Sequence, residues 1–207
     1  MKLIIARPSP FARKVRIALL EKQIPHDLEV DNPWIEAAVG AVNPLGKVPA
    51  LVLDDGQVLF DSRVIVGYLE ALGAPPAVLP ASSMARVAHR QIEALADGIC
   101  DAVVLITLER ARPPERRSAD WIARQSAKIS PALAELERRL GAGPWFTQHG
   151  YGLAEIAAGC ALGYLDLRDP QRDWRAAAPG LAALKARLDA RPAFAATRPQ
   201  AQAIPPT

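Results

Sequence analysis

The stretch from Asn43 to Phe60 carries the strongest local structural signal in this sequence. It reads Asn-Pro-Leu-Gly-Lys-Val-Pro-Ala-Leu over residues 43–51 and Val-Leu-Asp-Asp-Gly-Gln-Val-Leu-Phe over residues 52–60. Two apolar runs, residues 49–53 and 57–60, flank the Asp-Asp-Gly turn, and Asp-Gly between apolar runs is a strong signal for a β-hairpin. The sequence therefore predicts two antiparallel strands here.

The residues on either side of this hairpin alternate between strand and helix patterns. Residues 2–6 are typical of a short buried strand, which Arg-Pro-Ser-Pro ends, and helical spacing follows over residues 11–24. A second strand is predicted at residues 27–30, irregular or weakly helical chain at 32–43, and a helix at 62–72. The order predicts a compact α/β domain over residues 1–75.

The first predicted helix is apolar on two nearly opposite sides. Phe11, Val15, Ala18 and Leu19 share one face, and Ile17, Leu20 and Ile24 form the other. A helix of this kind needs two packing partners. One is the sheet, and the other is expected to be a second domain.

The chain after the Pro-rich residues 73–83 reads as helical throughout. One long helix is defined by Met84, Ala88, Leu95, Ile99, Val103 and Ile106, and another by Trp121, Ile129, Leu133, Leu136 and Leu140. Pro131 predicts a kink or restart near Ser130. Two further helices are expected at 153–167 and 180–190. The fold class is therefore α/β plus all-α, with an all-helical domain over residues 83–207.

Composition argues against several classes of protein. The 207 residues carry a net charge of +3 and 5% aromatic residues, with a pI of about 9.1. Basic residues cluster only around Pro113 and Pro114, and they do not alternate with aromatic residues, so we expect no nucleic-acid partner.

Cysteine and histidine usage argues against a metal site or a redox pair. Cys100 and Cys160 lie far apart, and His26, His89 and His149 have no ligand spacing, so no metal is expected. The chain has no signal-peptide pattern and no long apolar run, so we expect a cytoplasmic protein with no membrane contact.

Three short motifs each have an ordinary structural interpretation. Ser9-Pro10 is a typical N-cap followed by proline at the first helical position, and Asp61-Ser62 opens the next helix in a similar way. Pro49 follows Val48 at the start of a strand, where a trans bond is the default. A hydroxyl beside the free N–H groups of a helix N-terminus also stabilises an anion.

Taken together, the motifs resemble ordered blocks of the cytosolic glutathione transferase superfamily. The blocks are Ser-Pro-Phe-Ala-Arg-Lys-Val-Arg (9–16), Asn-Pro-Leu-Gly-Lys-Val-Pro-Ala-Leu (43–51) and Leu-Phe-Asp-Ser-Arg-Val-Ile (59–65). Residues 151–158 are similar to the capping segment of the family's helical domain, and residues 191–194 to its C-terminal end. The resemblance covers nearly the whole chain.

The resemblance implies a thioredoxin-like N-terminal domain with glutathione held at its junction with the helical domain. It implies that Ser9 hydrogen-bonds the glutathione sulfur, that Val48 pairs with the cysteinyl backbone beside a cis-Pro49, and that Asp61 and Ser62 hold the γ-glutamyl end. Phe11 would line the substrate pocket. Four positions depart from the family pattern: Asp61 replaces Glu, Gly152 replaces Ser or Thr, Glu155 replaces Asp, and Pro131 is unexpected in the second long helix.

A serine at position 9 excludes thiol–disulfide exchange through that position. The expected activity is therefore conjugation of thiolate glutathione to small hydrophobic electrophiles, or glutathione-dependent reduction of organic peroxides. The alternative is a catalytically weak or inactive transferase-like protein that docks a partner protein.

We also expect a homodimer. Two helical stretches carry more apolar residues than one core face can cover. These residues are Val64, Ile65, Val66, Tyr68 and Leu69 in the first stretch, and Val103, Val104, Leu105, Ile106 and Leu108 in the second.

Overall fold

The computed structural model describes residues 1–35 and 38–205. Four strands form one mixed sheet in the order β2-β1-β3-β4. They are β1 (Lys2–Ile5), β2 (Asp27–Val30), β3 (Ala50–Val52) and β4 (Val58–Leu59). Strand β1 runs parallel to β2 and antiparallel to β3, and β3 pairs antiparallel with β4. The predicted hairpin is confirmed, with shorter strands than the apolar runs suggested.

Eight helices complete the described residues. They are α1 (Pro10–Glu21), α2 (Ser62–Ala71), α3 (Ser83–Ala111), α4 (Ala119–Leu140), α5 (Leu153–Arg168), α6 (Trp174–Ala177), α7 (Pro179–Asp189) and α8 (Pro192–Ala196). Short 3-10 turns lie at Ala38–Ala41 and Pro114–Arg116. The irregular chain expected at 32–43 is confirmed where it is described, and residues 36 and 37 lie outside the described residues. The sequence did not predict the short helices α6 and α8.

Helix α5 forms the centre of the helical domain. Every residue from Leu153 to Leu165 is buried, and α3, α1 and α7 pack against it. Helix α1 contacts α5 of the helical domain on one side, which confirms the predicted second-domain partner, and it also contacts α2. Leu20 was expected on the second apolar face but is 40% exposed, and α1 ends at Glu21 and not at residue 24.

The long helices depart from the prediction at two positions. Of the kink or restart expected near Ser130, the restart does not occur, because α4 continues through Pro131. Pro131 deprives the carbonyl of Ala127 of its helical partner, but both residues are exposed, so water can satisfy that carbonyl. Met84, a predicted core position, is 76% exposed, because the first turn of α3 lies outside the core. The first buried side chains on α3 are His89 and Ile92.

Predicted apolar residues of α2 divide between the core and the surface. Ile65, Val66 and Leu69 are buried within the chain, whereas Val64 is 51% exposed. Trp121, expected on the apolar face of α4, is also largely exposed. Over residues 1–35 and 38–205, the helices include none with the length and apolar character needed to cross a membrane.

Candidate functional site

A cavity of about 290 Å³ opens between the edge of the sheet and α3. Five of the sequence-predicted site residues line it: Phe11, Val48, Pro49, Asp61 and Ser62. The other lining residues are Asn43, Leu45, Lys47, Phe60, Arg63, Asp97 and Asp101. The first turns of α1 and α2 both contribute to the wall, so two positive helix ends lie near the cavity.

Ser9 caps α1, as predicted. Its Oγ accepts a hydrogen bond from the Ala12 N–H at 3.2 Å, and its own N–H donates to the Ala6 carbonyl at 3.0 Å. Ser9 is not among the described residues that line the cavity, but Phe11, two positions later, is. The structure therefore brings the other candidate residues together around the cavity and leaves Ser9 just outside its lining.

Asn43 holds the loop that leads to Val48, and the sequence had indicated no separate role for this residue. Asn43 is buried, its Nδ2 donates to the Lys47 carbonyl at 2.7 Å, and its Oδ1 accepts from the Leu45 N–H at 3.0 Å. The Val48–Pro49 peptide bond is cis, as the resemblance predicted.

Asp61 caps α2, also as predicted. Its Oδ1 accepts from the Arg63 N–H at 2.9 Å, and the Phe60–Asp61 bond is cis. Ser62 is buried in the first turn of α2. Both residues therefore lie at the positive end of α2, which favours an anionic group in the adjacent cavity.

A buried network of charges joins α1, α2 and α3 behind the cavity. The Lys14 Nζ donates to Glu93 at 2.9 Å and to both carboxylate oxygens of Asp97 at 2.9 and 3.0 Å. Arg63 donates through Nε to the same Asp97 at 2.9 Å. Burial alone would lower the Lys14 pKa, but Asp97 and Glu93 outweigh it and raise this pKa, so the lysine is charged.

Asp101 lies one helical turn beyond Asp97 and also lines the cavity. Burial and then the neighbouring Asp97 raise the pKa of its carboxyl group. We did not predict this cluster of charges. The signal was present, because Glu93, Asp97 and Asp101 are spaced four residues apart and so form one acidic face of α3 that needs cations from other elements.

The N-terminus of α5 is capped by a side chain from another helix. Gly152 has no side chain to act as the N-cap, and the Nδ1 of buried His89 accepts from the Ala154 N–H at 3.4 Å. The Nε2 of His89 pairs with Thr147 Oγ at 3.0 Å. Burial and nearby His149 lower the pKa of His89 to about 4, which keeps the imidazole neutral and able to accept.

Glu155 completes this end of α5. Its carboxylate accepts from the Gly152 N–H at 2.8 Å and from the Phe146 N–H at 2.9 Å. Burial raises its pKa to about 7 against the effect of these donors. Within residues 1–35 and 38–205, no three His, Cys, Asp or Glu side chains are grouped so that they could hold a metal ion.

Comparison with known proteins places this chain in a family. The family model for the glutathione S-transferase N-terminal domain matches residues 8–72, and the model for the C-terminal domain matches residues 119–184. The chain belongs to the glutathione S-transferase family. An uncharacterized GST-like protein of Escherichia coli K12, YibF, is 42% identical over 200 residues, which are 96% of this chain and 98% of that protein.

Solved glutathione S-transferase structures have the same fold. One from Methylobacterium radiotolerans, in complex with glutathione sulfonate, is 48% identical with a TM-score of 0.95 and covers 98% of this chain and 96% of that one. Another, from Methylobacillus flagellatus with glutathione bound, is 38% identical with a TM-score of 0.93 and covers 96% and 99%. The chain therefore has the thioredoxin-like domain and the helical domain that the sequence predicted.

Proposed function

We propose that this protein is a glutathione transferase that binds glutathione in the cavity beside α3. The γ-glutamyl end lies at Asp61 and Ser62, the cysteinyl backbone pairs with Val48 beside Pro49, and the thiol points towards Ser9. The observation that carries the proposal is that motifs far apart in the sequence meet around one cavity. The glutathione and glutathione sulfonate in the related structures support the same ligand.

The hydrogen bonding of Ser9 leaves its proton free for this role. The Oγ uses one lone pair to accept from Ala12, so the O–H can donate to the glutathione sulfur. Lowering a thiol pKa of about 8.5 by two units requires about 2.7 kcal/mol in favour of the thiolate. A hydrogen bond to a charged group contributes about 1.5–3 kcal/mol and a helix N-terminus about 0.3–1 kcal/mol. One serine on one helix therefore suffices.

The thiolate then attacks a small hydrophobic electrophile. A new carbon–sulfur bond forms, and the displaced group leaves with the electron pair of its former bond to carbon. With an organic peroxide the sulfur attacks oxygen instead: an S–O bond forms, the O–O bond breaks, and the alkoxide takes up a proton and leaves as the alcohol. A second glutathione thiol then attacks the sulfenic acid, which gives glutathione disulfide and water. Phe11, on the wall of the cavity, supplies an apolar surface for either substrate.

We further propose a cytoplasmic homodimer in which residues 1–75 form the glutathione-binding domain and residues 83–207 form the helical domain that completes the substrate pocket. Val64 on α2 is 51% exposed and Val87 on α3 is 55% exposed. A Cβ on Gly67 would lie 3.8 Å from Arg90, so these parts of α2 and α3 are neighbours. Val64 precedes Gly67 by one turn on α2, and Val87 precedes Arg90 by one turn on α3. This placement supports one apolar surface, formed by both helices, against which a second copy of the chain packs.

Retention on immobilised glutathione, followed by turnover of a panel of electrophiles and organic peroxides, tests the activity. We expect wild-type protein to be retained and to turn over at least one member of the panel, and Ser9→Ala to lose most of that activity. Ser118→Ala is the matched control, because Ser118 caps α4 with the same 3.2 Å hydrogen bond far from the candidate residues. A wild-type protein without turnover would favour the partner-docking alternative, whereas an equally active Ser9→Ala would remove the role given to Ser9.

A further inference from the structure

The C-terminal end of the chain returns to the N-terminal domain and contacts the loop before Ser9. We call residues 198–205 the C-terminal strap. The Gln200 N–H donates to the Arg7 carbonyl at 3.5 Å, and the Arg7 guanidinium donates to Gln200 Oε1 at 3.0 Å. Farther along, Asn32 Nδ2 donates to the Ala203 carbonyl at 3.0 Å. The strap therefore lies across the ends of both β1 and β2.

The Gln202 side chain lies between these two strand ends. Its Oε1 accepts from the Arg7 N–H at 3.0 Å, and its Nε2 donates to the Asp31 carbonyl at 2.9 Å. One side-chain amide thus bonds the backbone that follows β1 to the backbone that follows β2.

The position of this amide is defined by the hydrogen bonding of the parallel ladder. The last backbone bond between the strands runs from the Asp31 N–H to the Ile5 carbonyl at 2.7 Å. In a regular parallel pair the next bond would run from the Arg7 N–H to the Asp31 carbonyl. The side-chain amide of Gln202 lies where that bond would form, and it pairs with both the Arg7 N–H and the Asp31 carbonyl. It therefore holds the two strands apart where the chain after β1 turns towards Ser9.

Two further sets of hydrogen bonds anchor the chain on either side of Gln202. The buried Asp31 carboxylate accepts from the Val39 N–H at 2.8 Å and from the Asn32 N–H at 2.7 Å. The chain that leads into the strap is held on α1, because Arg13 donates to Thr197 at 3.4 Å and to the Phe194 carbonyl at 3.2 Å. With the Asp31 side and the strap both anchored, the group that Gln202 positions is Arg7, two residues before Ser9.

We propose that Gln202 is a positioning residue for Ser9, which sets the place of the Ser9 hydroxyl relative to bound glutathione. This role rests on the proposed glutathione transferase activity. Without the amide, the Arg7 N–H is free to bond Asp31 directly or to bond water. Either change shifts the Ala6–Ser9 turn. The hydroxyl then stabilises the thiolate less, while the residues that bind the rest of glutathione keep their places.

Two variants test the role, with the exposed Gln148→Ala as the control. Gln202→Ala removes both hydrogen bonds, and Gln202→Glu keeps an acceptor for Arg7 but places a carboxylate against the Asp31 carbonyl. We expect both to lower kcat by about two- to tenfold, the range that one hydrogen bond supports. The pH profile should move to higher pH, and KM for glutathione should change little.

Amide hydrogen exchange in the unliganded protein gives a readout that does not depend on activity. Both Gln202 variants should exchange faster than wild type at Arg7 and Ser9, with Gln148→Ala unchanged. Wild-type exchange at these amides in both variants, or an unchanged pH profile, would overturn the proposal. If wild-type protein binds no glutathione, the proposed function fails and the role for Ser9 with it, whereas a failure confined to the Gln202 variants overturns the positioning role alone.

Discussion

Gly152 shows how one residue's departure from a family pattern is explained by its neighbours. A Cβ at this position would lie 2.6 Å from the Val78 carbonyl oxygen and 3.0 Å from Cε1 of His89. The space that an N-cap side chain would need is filled by the histidine that caps α5 in its place. The sequence showed the missing hydroxyl but could not show its substitute, because His89 lies 63 positions earlier in the chain.

We predict that Gly152→Ser destabilises the protein, although serine is the better N-cap residue in general. The clash with a backbone carbonyl forces a local shift, and overpacking of this kind costs about 1–3 kcal/mol. Denaturant unfolding measures the loss. Gly98→Ala is the control, since nothing lies within 4 Å of a Cβ there and alanine favours a helix. A Gly152→Ser protein as stable as wild type would mean that His89 does not fill the capping position.

The two ionisable groups at this end of α5 give opposite dependences of stability on pH. The pKa of His89 falls from 6.5 to about 4 on folding, so the unfolded chain binds more protons between these values and acid destabilises the fold. The pKa of Glu155 rises from 4.5 to about 7, so its contribution is present at low pH and is lost as the pH rises to about 7.

We therefore predict that His89→Asn is less sensitive to acid than wild type between pH 6.5 and pH 4. Glu155→Gln should be more sensitive, because only the histidine effect then remains. Free energies of unfolding measured across this range test both. Parallel curves for wild type and His89→Asn would contradict the account of the cap.

At the scale of elements, the sequence predicted where most helices and strands lie but not what joins them. The Asp-Gly hairpin and the two-sided α1 followed from local pattern alone. The pairing of Lys14 with Glu93 and Asp97 did not, since it depends on how α1 meets α3. The restart expected at Pro131 does not occur, because the carbonyl that loses its helical partner is exposed to water, and local pattern does not report exposure.

We predict that Lys14→Met lowers the free energy of unfolding by about 1–3 kcal/mol. The variant removes the shared buried cation of Glu93 and Asp97, although each carboxylate keeps one arginine partner. The control is Arg124→Met, at an exposed position of α4, where the expected change is within about 0.5 kcal/mol. Chemical denaturation of both variants tests the difference. Similar values for the two would mean that the network adds no stability to the contact between α1 and α3.

At the scale of the whole molecule, the exposed valines of α2 and α3 predict a dimer. Light scattering should give twice the chain mass of 22.2 kDa at micromolar concentration. Val64→Glu should shift the protein towards the monomer, because it places a charge in the apolar surface, whereas Val30→Glu on the edge strand β2 should not. A wild-type mass near 22.2 kDa would contradict the dimer.

The candidate site was predictable from sequence as a set of motifs, since Val48, Pro49, Asp61 and Ser62 do line one cavity with Phe11. The C-terminal strap was not, because Gln202 reaches Arg7 across 195 positions of chain and carries no local signal. Contacts of this kind become visible only when the two domains are seen together.

The ultraviolet absorbance of the glutathione thiolate, followed against pH in the presence of wild-type and Ser9→Ala protein, tests the central claim most directly. We predict that the thiol pKa falls by about two units on binding to wild type, and that most of this shift is absent in Ser9→Ala. Circular dichroism of the variant should be unchanged, because losing the cap costs only about 1 kcal/mol. An equal pKa shift with both proteins, or none with wild type, would contradict the account.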